Sequence, residues 1–482
     1  MSSILFIALP LLFGFATPIL SKFGKNGVAY TSTLMQLFLL YLAISLLSTT
    51  SSYVEIISIA APLGISFVLN TASLFFVLLF TLFMTLFSLY YLLHRKTDAY
   101  KDETKFFILI NMLLAAAIGL VLSSDIFNIY VFFEIAGISA YILSAYKKTP
   151  SALEAGLKYL LTGAVASVFL VFAITLIYIN VGSLNLAVIA QSFETLPYNI
   201  KVLISLLLLI GFGFKVEIFP LNFWVVDVYQ GSSNLVNALF SSIVVKAYLF
   251  VFFHILYLFL SSGEFSVFLV YLGAVSMLIA EIAALRQTNL KRLFAYSSLG
   301  QVALLFTAFA MQNTDAIQAA LFIVLSHSVA KFIIFLALTS IEKEHKSMHI
   351  DTLKELNSPF LRAIMLIAML SLLGIPLFAG FIGKFLALKS FAVGGAFTVL
   401  VIIIIGSLIE AVYYFKLAGF MFGKDKKREA LKISFSQKVL LALLAFSLLL
   451  IGIVPMTISG FLLDAGSVML DSKSYVALLV GG

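Results

Sequence analysis

Apolar residues in this chain fall in long blocks rather than in the narrow one-sided stripe of a helix on a soluble protein. Scanning for blocks of about twenty residues, the length that crosses a bilayer's hydrocarbon core, gives stretches centred near Leu12, Leu39, Leu82, Ala115, Ile138, Val168, Leu209, Ala247, Val275, Leu304, Phe332, Met369 to Phe385, Ile405 and Leu449. The pattern predicts an all-α polytopic membrane protein with about 14 transmembrane helices. Three places break the rhythm. The apolar run from Tyr53 to Asn70 is interrupted by Pro62 and Gly64, which favours an irregular or hairpin piece. The strings GFGFKVEIFPLNFW and LLGIPLFAGFIGKF each put proline inside a span, where the freed backbone groups are tolerated only if protein or water satisfies them.

Composition narrows the class further. Of 482 residues, 62% are hydrophobic and 11% charged, and the mean hydropathy is +1.14. A soluble domain carries about a quarter of charged residues, so a soluble enzyme is excluded. No hydrophilic block is long enough for a separate soluble domain, and residues 1–482 read as one membrane domain. The opening MSSILFIALPLLFGF lacks a basic flank, so it reads as a retained first helix rather than a signal peptide. With no cysteine, the chain carries no disulfide, thiol nucleophile or thiolate-held cluster, and redox chemistry falls to a partner. No cofactor and no bound metal is expected.

The formal charge of +8 suggests nucleic acid until its placement is examined. No Lys/Arg run builds a nucleic-acid-binding face. If the spans alternate, one side receives most of the loop cations, from Lys22, Lys25, Arg95, Lys147 and Lys148 through Arg292 and Lys343 to Lys424, Lys432 and Lys438, while the other receives Lys201 and Lys473. An extra or missing central span would scramble that split. The positive side is ordinarily cytoplasmic, so both termini are expected outside, in a prokaryotic cell membrane, with some attraction to anionic lipid.

The charges left over lie within the spans: Lys158, Lys215, Lys246, Lys331, Lys384, Lys389 and Lys416, with Glu134, Glu217, Glu281, Glu410, His254 and His327. A charge at bilayer depth costs several kcal/mol and normally faces a protein interior or a wet path. Lys158, Lys416 and Lys389 lie near span ends, where a lysine snorkels to the headgroups. His254 reads as a packing residue, and Glu217 and Glu410 as structural ion-pair partners. Snorkelling is out of reach for Glu134, Lys215, Lys246 and Lys384, for which function is the better reading. His327 and Lys331, four apart in SHSVAKF, share a helix face and read as a relay pair. Lys215 and Lys384 stand beside the two helix breaks, a combination from which transporters build ion sites.

In order along the chain, SSDIFNIYVFFEIAGISAY, EAGLKYLLTGAVAS, FKVEIFPLNFW with VVKAYLF, LKRLFAYSSLGQ, LSHSVAKFIIF and SLLGIPLFAGFIGKF resemble the antiporter-like subunits shared by respiratory complex I, multisubunit Mrp cation/proton antiporters and ferredoxin-linked membrane hydrogenases. The FNIYVFFE form is most similar to the D-type Mrp subunit or its equivalents in membrane-bound hydrogenase-like complexes. The resemblance covers roughly residues 60–420. It implies two inverted five-helix repeats, each with a broken helix, in helices 4–8 (about 106–260) and 9–13 (about 264–421), preceded by helices 1–3 (about 1–105) and followed by a C-terminal helix (about 436–482). It also implies a midplane axis in which Glu134 pairs with Lys215, Lys246 connects, His327 and Lys331 relay, and Lys384 is the terminal proton-bearing lysine. Asn222, Asn289 and Asn70 stand where the family usually has a histidine, an acid and an aspartate, and none of them lies on that axis.

These readings make the chain a proton-translocating or cation/proton-antiporting subunit of an Mrp-type antiporter or redox-driven pump. It is not an enzyme by itself. Expected partners are other integral membrane subunits, peripheral redox subunits, protons, Na+ and lipid. A Lys beside a Glu at depth is a bistable element: closed, the pair favours the charged lysine, and opened, burial favours release of its proton. A quinone- or redox-associated subunit without its own transport, and an autonomous secondary transporter, stand as alternatives.

Overall fold

The computed structural model describes residues 3–23, 27–48, 52–57, 64–98, 102–260, 263–423, 431 and 433–480. Pro62 and the loop cations Lys25, Lys101, Lys424, Lys426, Lys427, Arg428 and Lys432 lie outside the described residues. The chain opens with helices α1 (Leu5–Leu20) and α2 (Gly27–Ser45), then an antiparallel hairpin of β1 (Tyr53–Ile57) and β2 (Ile65–Leu69), where the sequence suggested a hairpin. There follow α3 (Thr71–Asp98), α4 (Glu103–Leu122), α5 (Ile126–Ser144), α6 (Pro150–Val181), the short α7 (Leu186–Phe193), α8 (Tyr198–Lys215), α9 (Val225–Gly231), and α10 (Asn234–Leu239) joined through a π-helical turn (Phe240–Val244) to α11 (Val245–Phe259). The second half comprises α12 (Gly263–Leu285), α13 (Leu290–Ala310), α14 (Thr314–His345), α15 (Pro359–Leu373), α16 (Ala379–Val393), α17 (Phe397–Phe422), α18 (Phe435–Ile453), α19 (Met456–Leu470) and α20 (Ser472–Val480).

Among the described residues twelve helices are long and apolar enough to cross a membrane. Adding α1 and the broken pair α15/α16 gives fourteen crossings. The expected single C-terminal helix over 436–482 is instead three elements. Pro455 lacks an amide hydrogen and stops α18, and the chain then turns along the surface. The start of α18 meets the end of α14, where Gln437 donates to Ser340 at 2.6 Å. The start of α14 lies at the other face, and there the Gln318 amide donates to Ser459 of α19 at 3.0 Å. The hairpin, α7 and α20 lie on that same face as α19, since α20 packs on both α7 and β1.

Two matching latches mark the halves. Asp125 caps α5 and bridges Asn185, which caps α7. Asn289 caps α13 and bridges His349, which caps the 3-10 turn Ile350–Glu355. Each cap side chain accepts from backbone N–H groups that the first turn of a helix leaves orphaned. Five crossings separate the latches, an odd number, so they lie on opposite faces and the halves are inverted. In each half a 32-residue helix, α6 or α14, packs against a broken one, α8/α9 or α15/α16.

The core sits where the halves meet. The α10–α11 span is wholly buried, α13 and α14 nearly so, whereas α6 and α17 expose leucine, valine, isoleucine and phenylalanine over two thirds of their spans, as a lipid-facing surface does.

Candidate functional site

Each of the two breaks places a buried lysine at mid-span. The first helix of the first break, α8, ends on Lys215 itself. The chain then passes through Glu217 at φ 64° and a cis Phe219–Pro220 bond before α9 begins. In the second, α15 ends on Gly374 at φ 81°, where glycine meets no side-chain penalty, and the loop continues through Leu377 at φ 79°. A non-glycine residue held at positive φ is uncommon and costs local strain, and each break contains one.

Lys215 is 2% exposed. Its ammonium donates to the Tyr141 hydroxyl at 2.5 Å and sits among four rings, with centroids of Tyr141 at 4.4 Å, Tyr159 at 4.8 Å, Phe133 at 5.4 Å and Tyr248 at 5.6 Å. Ring quadrupoles replace part of the lost hydration of the cation. The cage needs two glycines: a Cβ on Gly163 would fall 1.8 Å from the Tyr141 hydroxyl, and one on Gly137 would fall 2.7 Å from it. Glu134, the expected partner, is not within 4 Å of a cation among the described residues. It lies two turns before Tyr141 on α5, half-buried, with Oε1 lacking a hydrogen-bond partner. The structure thus holds Lys215 and Glu134 apart, with Tyr141 taking the place of the carboxylate.

Lys246, fully buried, follows the π-helical turn by two residues. It donates to the Ser241 carbonyl within that turn and to His327 Nδ1 at 2.7 Å. Accepting at Nδ1 leaves the His327 proton on Nε2, which has no partner among the described residues. One turn along α14, Lys331 donates to the Phe294 carbonyl at 2.9 Å and to the Ser297 hydroxyl at 2.7 Å.

Lys384, on the second turn of α16, donates to Glu410 at 2.5 Å and to the Leu373 carbonyl at 3.3 Å, the C-terminal end of the preceding half-helix. Gln301 donates to the other Glu410 oxygen at 2.7 Å and to the Leu372 carbonyl at 3.1 Å. A buried cation here meets a carboxylate and the negative end of a helix dipole together. The breaks therefore differ: in the second the ion pair is closed, in the first there is an aromatic cage.

The sequence reading did not assign a role to Tyr141, Gln301, Ser297 or the tyrosine pair Tyr413/Tyr414, and it took Glu410 only as a structural partner. A carboxylate 26 residues from its lysine, on the next helix, carries no spacing signal. At the span ends, Lys158 meets Glu154 and Asp227, both at 2.7 Å, and Lys389 meets Asp315 at 3.5 Å, as snorkelling residues do. His254 is stacked against Phe250 and edge-on to Tyr475, a packing role.

Comparison with known proteins agrees with this architecture. Residues 123–410 match the family model described as NADH:quinone oxidoreductase/Mrp antiporter, transmembrane. NADH-quinone oxidoreductase subunit N 2 of Symbiobacterium thermophilum is 33% identical over 372 residues, covering 72% of each chain. A chain of the membrane-bound sulfane sulfur reductase, an archaeal respiratory membrane complex, superposes with a TM-score of 0.92 at 30% identity over 99% of both chains. A chain of the Mrp complex from Dietzia sp. DQ12-45-1b shares the fold, with a TM-score of 0.90 at 19% identity over 99% of both. A transmembrane match across most of the buried charges, together with full-length agreement in fold, settles the assignment: the chain belongs to the NADH:quinone oxidoreductase/Mrp antiporter transmembrane family.

Proposed function

We propose that this chain is a proton-translocating subunit of a multisubunit membrane complex and that its proton path runs along Glu134, Lys215, Lys246, His327, Lys331 and Lys384. One observation carries the reading. Four lysines, none more than 7% exposed, each hold hydrogen-bond partners that are tyrosine, histidine, serine or carboxylate groups rather than a fixed array of carbonyls alone. Nothing in apolar packing calls for four such residues, and burying them is costly unless each pays its way in function. The open first pair and closed second pair are the two states that a bistable element passes between, so the structure is read as one snapshot of that cycle. Lys246 with His327 and Lys331 lies between the two breaks and is positioned to pass the change from one to the other.

On this reading the chain has no chemistry of its own. The driving reaction, redox or sodium exchange, belongs to neighbouring membrane and peripheral subunits such as those that accompany the relatives. The Lys/Arg-rich face is assigned to the cytoplasm by the positive-inside rule, which puts both termini outside. The test is proton uptake by vesicles containing the purified complex. Lys215→Ala, Glu134→Ala and Lys384→Ala are each expected to abolish driven transport while the complex stays assembled. Transport left intact in any one of the three would overturn the proposal.

A further inference from the structure

Glu281 is a buried acid that the axis above does not use. It is 0% exposed on α12, and its Oε2 accepts from the Tyr413 hydroxyl at 2.8 Å. Its Oε1 has no partner among the described residues. No lysine or arginine stands within ion-pair distance of it among them. Such a carboxylate is expensive to bury for structural reasons alone, because an apolar residue of similar size would fill the space without the desolvation cost.

Its neighbours form a line back to the axis. Tyr413 precedes Tyr414 on α17, and their rings meet edge-on at 4.6 Å. The Tyr414 hydroxyl hydrogen-bonds with Ser297 of α13 at 2.5 Å, and Ser297 accepts from Lys331 at 2.7 Å. The line also has a direction. Lys331 stands fourteen residues before the end of α14, about 21 Å of helix rise, whereas Glu281 stands four residues before the end of α12, about 6 Å of rise. Both ends lie at the Lys/Arg-rich face, so the line climbs from mid-bilayer toward it. Space for the carboxylate is specifically kept: a Cβ on Gly300 would fall 1.9 Å from Oε1.

We propose that Glu281 is a proton-loading acid on a side branch, joining the axis at Lys331 to the Lys/Arg-rich face through Tyr413, Tyr414 and Ser297. This rests on the proton-path reading above. The step balances as a chain of shifts. The Glu281 carboxyl gives its proton to the Tyr413 oxygen as Tyr413 gives its own to Tyr414, Tyr414 to Ser297, and Ser297 to the neutral Lys331 amine. The result is a Glu281 carboxylate and a Lys331 ammonium, with every hydroxyl restored. The distances of 2.7 Å between Lys331 and Ser297 and 2.8 Å between Tyr413 and Glu281 suit the hydrogen bonds both before and after that transfer. Oε1 is then the atom that receives the next proton.

The test uses the intact complex in vesicles, driven by its own reaction, and compares Glu281→Gln, Tyr413→Phe and Gly300→Ala with Lys384→Ala. At least a tenfold loss of proton transport is expected for Glu281→Gln and Tyr413→Phe. Gly300→Ala, which leaves every charge in place and displaces the carboxylate, is expected to follow them. Infrared difference spectra between resting and driven complex are expected to contain a deuterium-sensitive carboxyl band that Glu281→Gln removes and Glu281→Asp shifts. A merely structural acid gives no band that responds to driving. If Lys384→Ala abolishes transport while Glu281→Gln and Tyr413→Phe leave both rate and spectrum unchanged, the branch is refuted and the axis stands. If Lys384→Ala itself transports normally, the axis reading fails and the branch falls with it.

Discussion

Breaking the Lys384–Glu410 pair tests the energetics of the second break most directly. The two groups meet at 2.5 Å with side chains 9% and 0% exposed. With an effective dielectric constant of about 20, their gross attraction is roughly 6 to 7 kcal/mol, and desolvation of both ions offsets most of it. The net worth of the pair is therefore small, yet removing one partner strands the other charge, at a cost of about 3–5 kcal/mol. Glu410→Gln strands Lys384, and Lys384→Met strands Glu410 with only Gln301 to serve it. Both single variants should melt well below the parent complex in thermal denaturation followed by near-ultraviolet circular dichroism. The double replacement Lys384→Met with Glu410→Leu strands nothing and should recover most of the lost midpoint. It should not recover proton transport, because no titratable group is left at the break. A double variant as unstable as the sum of the singles, or singles that melt with the parent, would refute this accounting.

Other outcomes follow from the same structure. Tyr141→Phe removes the hydroxyl that accepts from Lys215, a bond to a charged group worth about 1.5–3 kcal/mol. Driven transport should fall roughly 10- to 100-fold if that bond is remade in each cycle, whereas an unchanged rate in vesicles would mean the ring cage suffices. Gly380→Ala puts a Cβ 1.8 Å from the Ser371 carbonyl and should prevent assembly on blue-native gels; Gly374→Ala, at φ 81° and 2.8 Å from the Lys384 side chain, should assemble with a lowered melting point. Asp125→Ala should cost about 1 kcal/mol as a lost helix cap, and Asp125→Asn little, since Asn185 and Asn289 cap in the same way. Burial pushes the Asp125 carboxyl above the usual carboxylate range against two backbone N–H bonds that pull it down. The sign follows: the unfolded aspartate ionises first, so stability falls as pH rises from the ordinary range through the folded value. The asparagine variant should lack that slope in melting curves taken across the same interval.

Much of this molecule is legible in its sequence because the bilayer makes deviations conspicuous. Fourteen apolar blocks, the proline-broken spans beside Lys215 and Lys384, and lysines far from any span end are each conspicuous enough to be noticed from one sequence. What each lysine touches is another matter. Lys215 and Glu134 both lie far from any span end, but whether Tyr141 reaches the lysine depends on Gly137 and Gly163 opening room on two different helices. Glu410 is no more unusual in its own span than Glu281, and only the packing of α17 against α12 and α13 gives the two acids different neighbours. The C-terminal division was missed for a related reason: Leu449 and Leu463 belong to equally apolar stretches, and only contacts with opposite ends of α14 separate a crossing from a surface helix.

The π-helical turn at Phe240–Val244 acts as a rotational offset. An α-helix turns 100° per residue, and a π turn accommodates one residue more than the α register holds. Everything after it on α11 is therefore dialled round by about that angle relative to everything before it on α10. Lys246 faces His327 at the present setting. Removing a single residue from the turn would keep the span's length within about 1.5 Å and leave the helix continuous, yet swing the lysine about a quarter-turn or more from its partner. The connection between the two halves is thus set by one surplus residue of backbone, and a one-codon deletion would be read out as a loss of coupling rather than of fold.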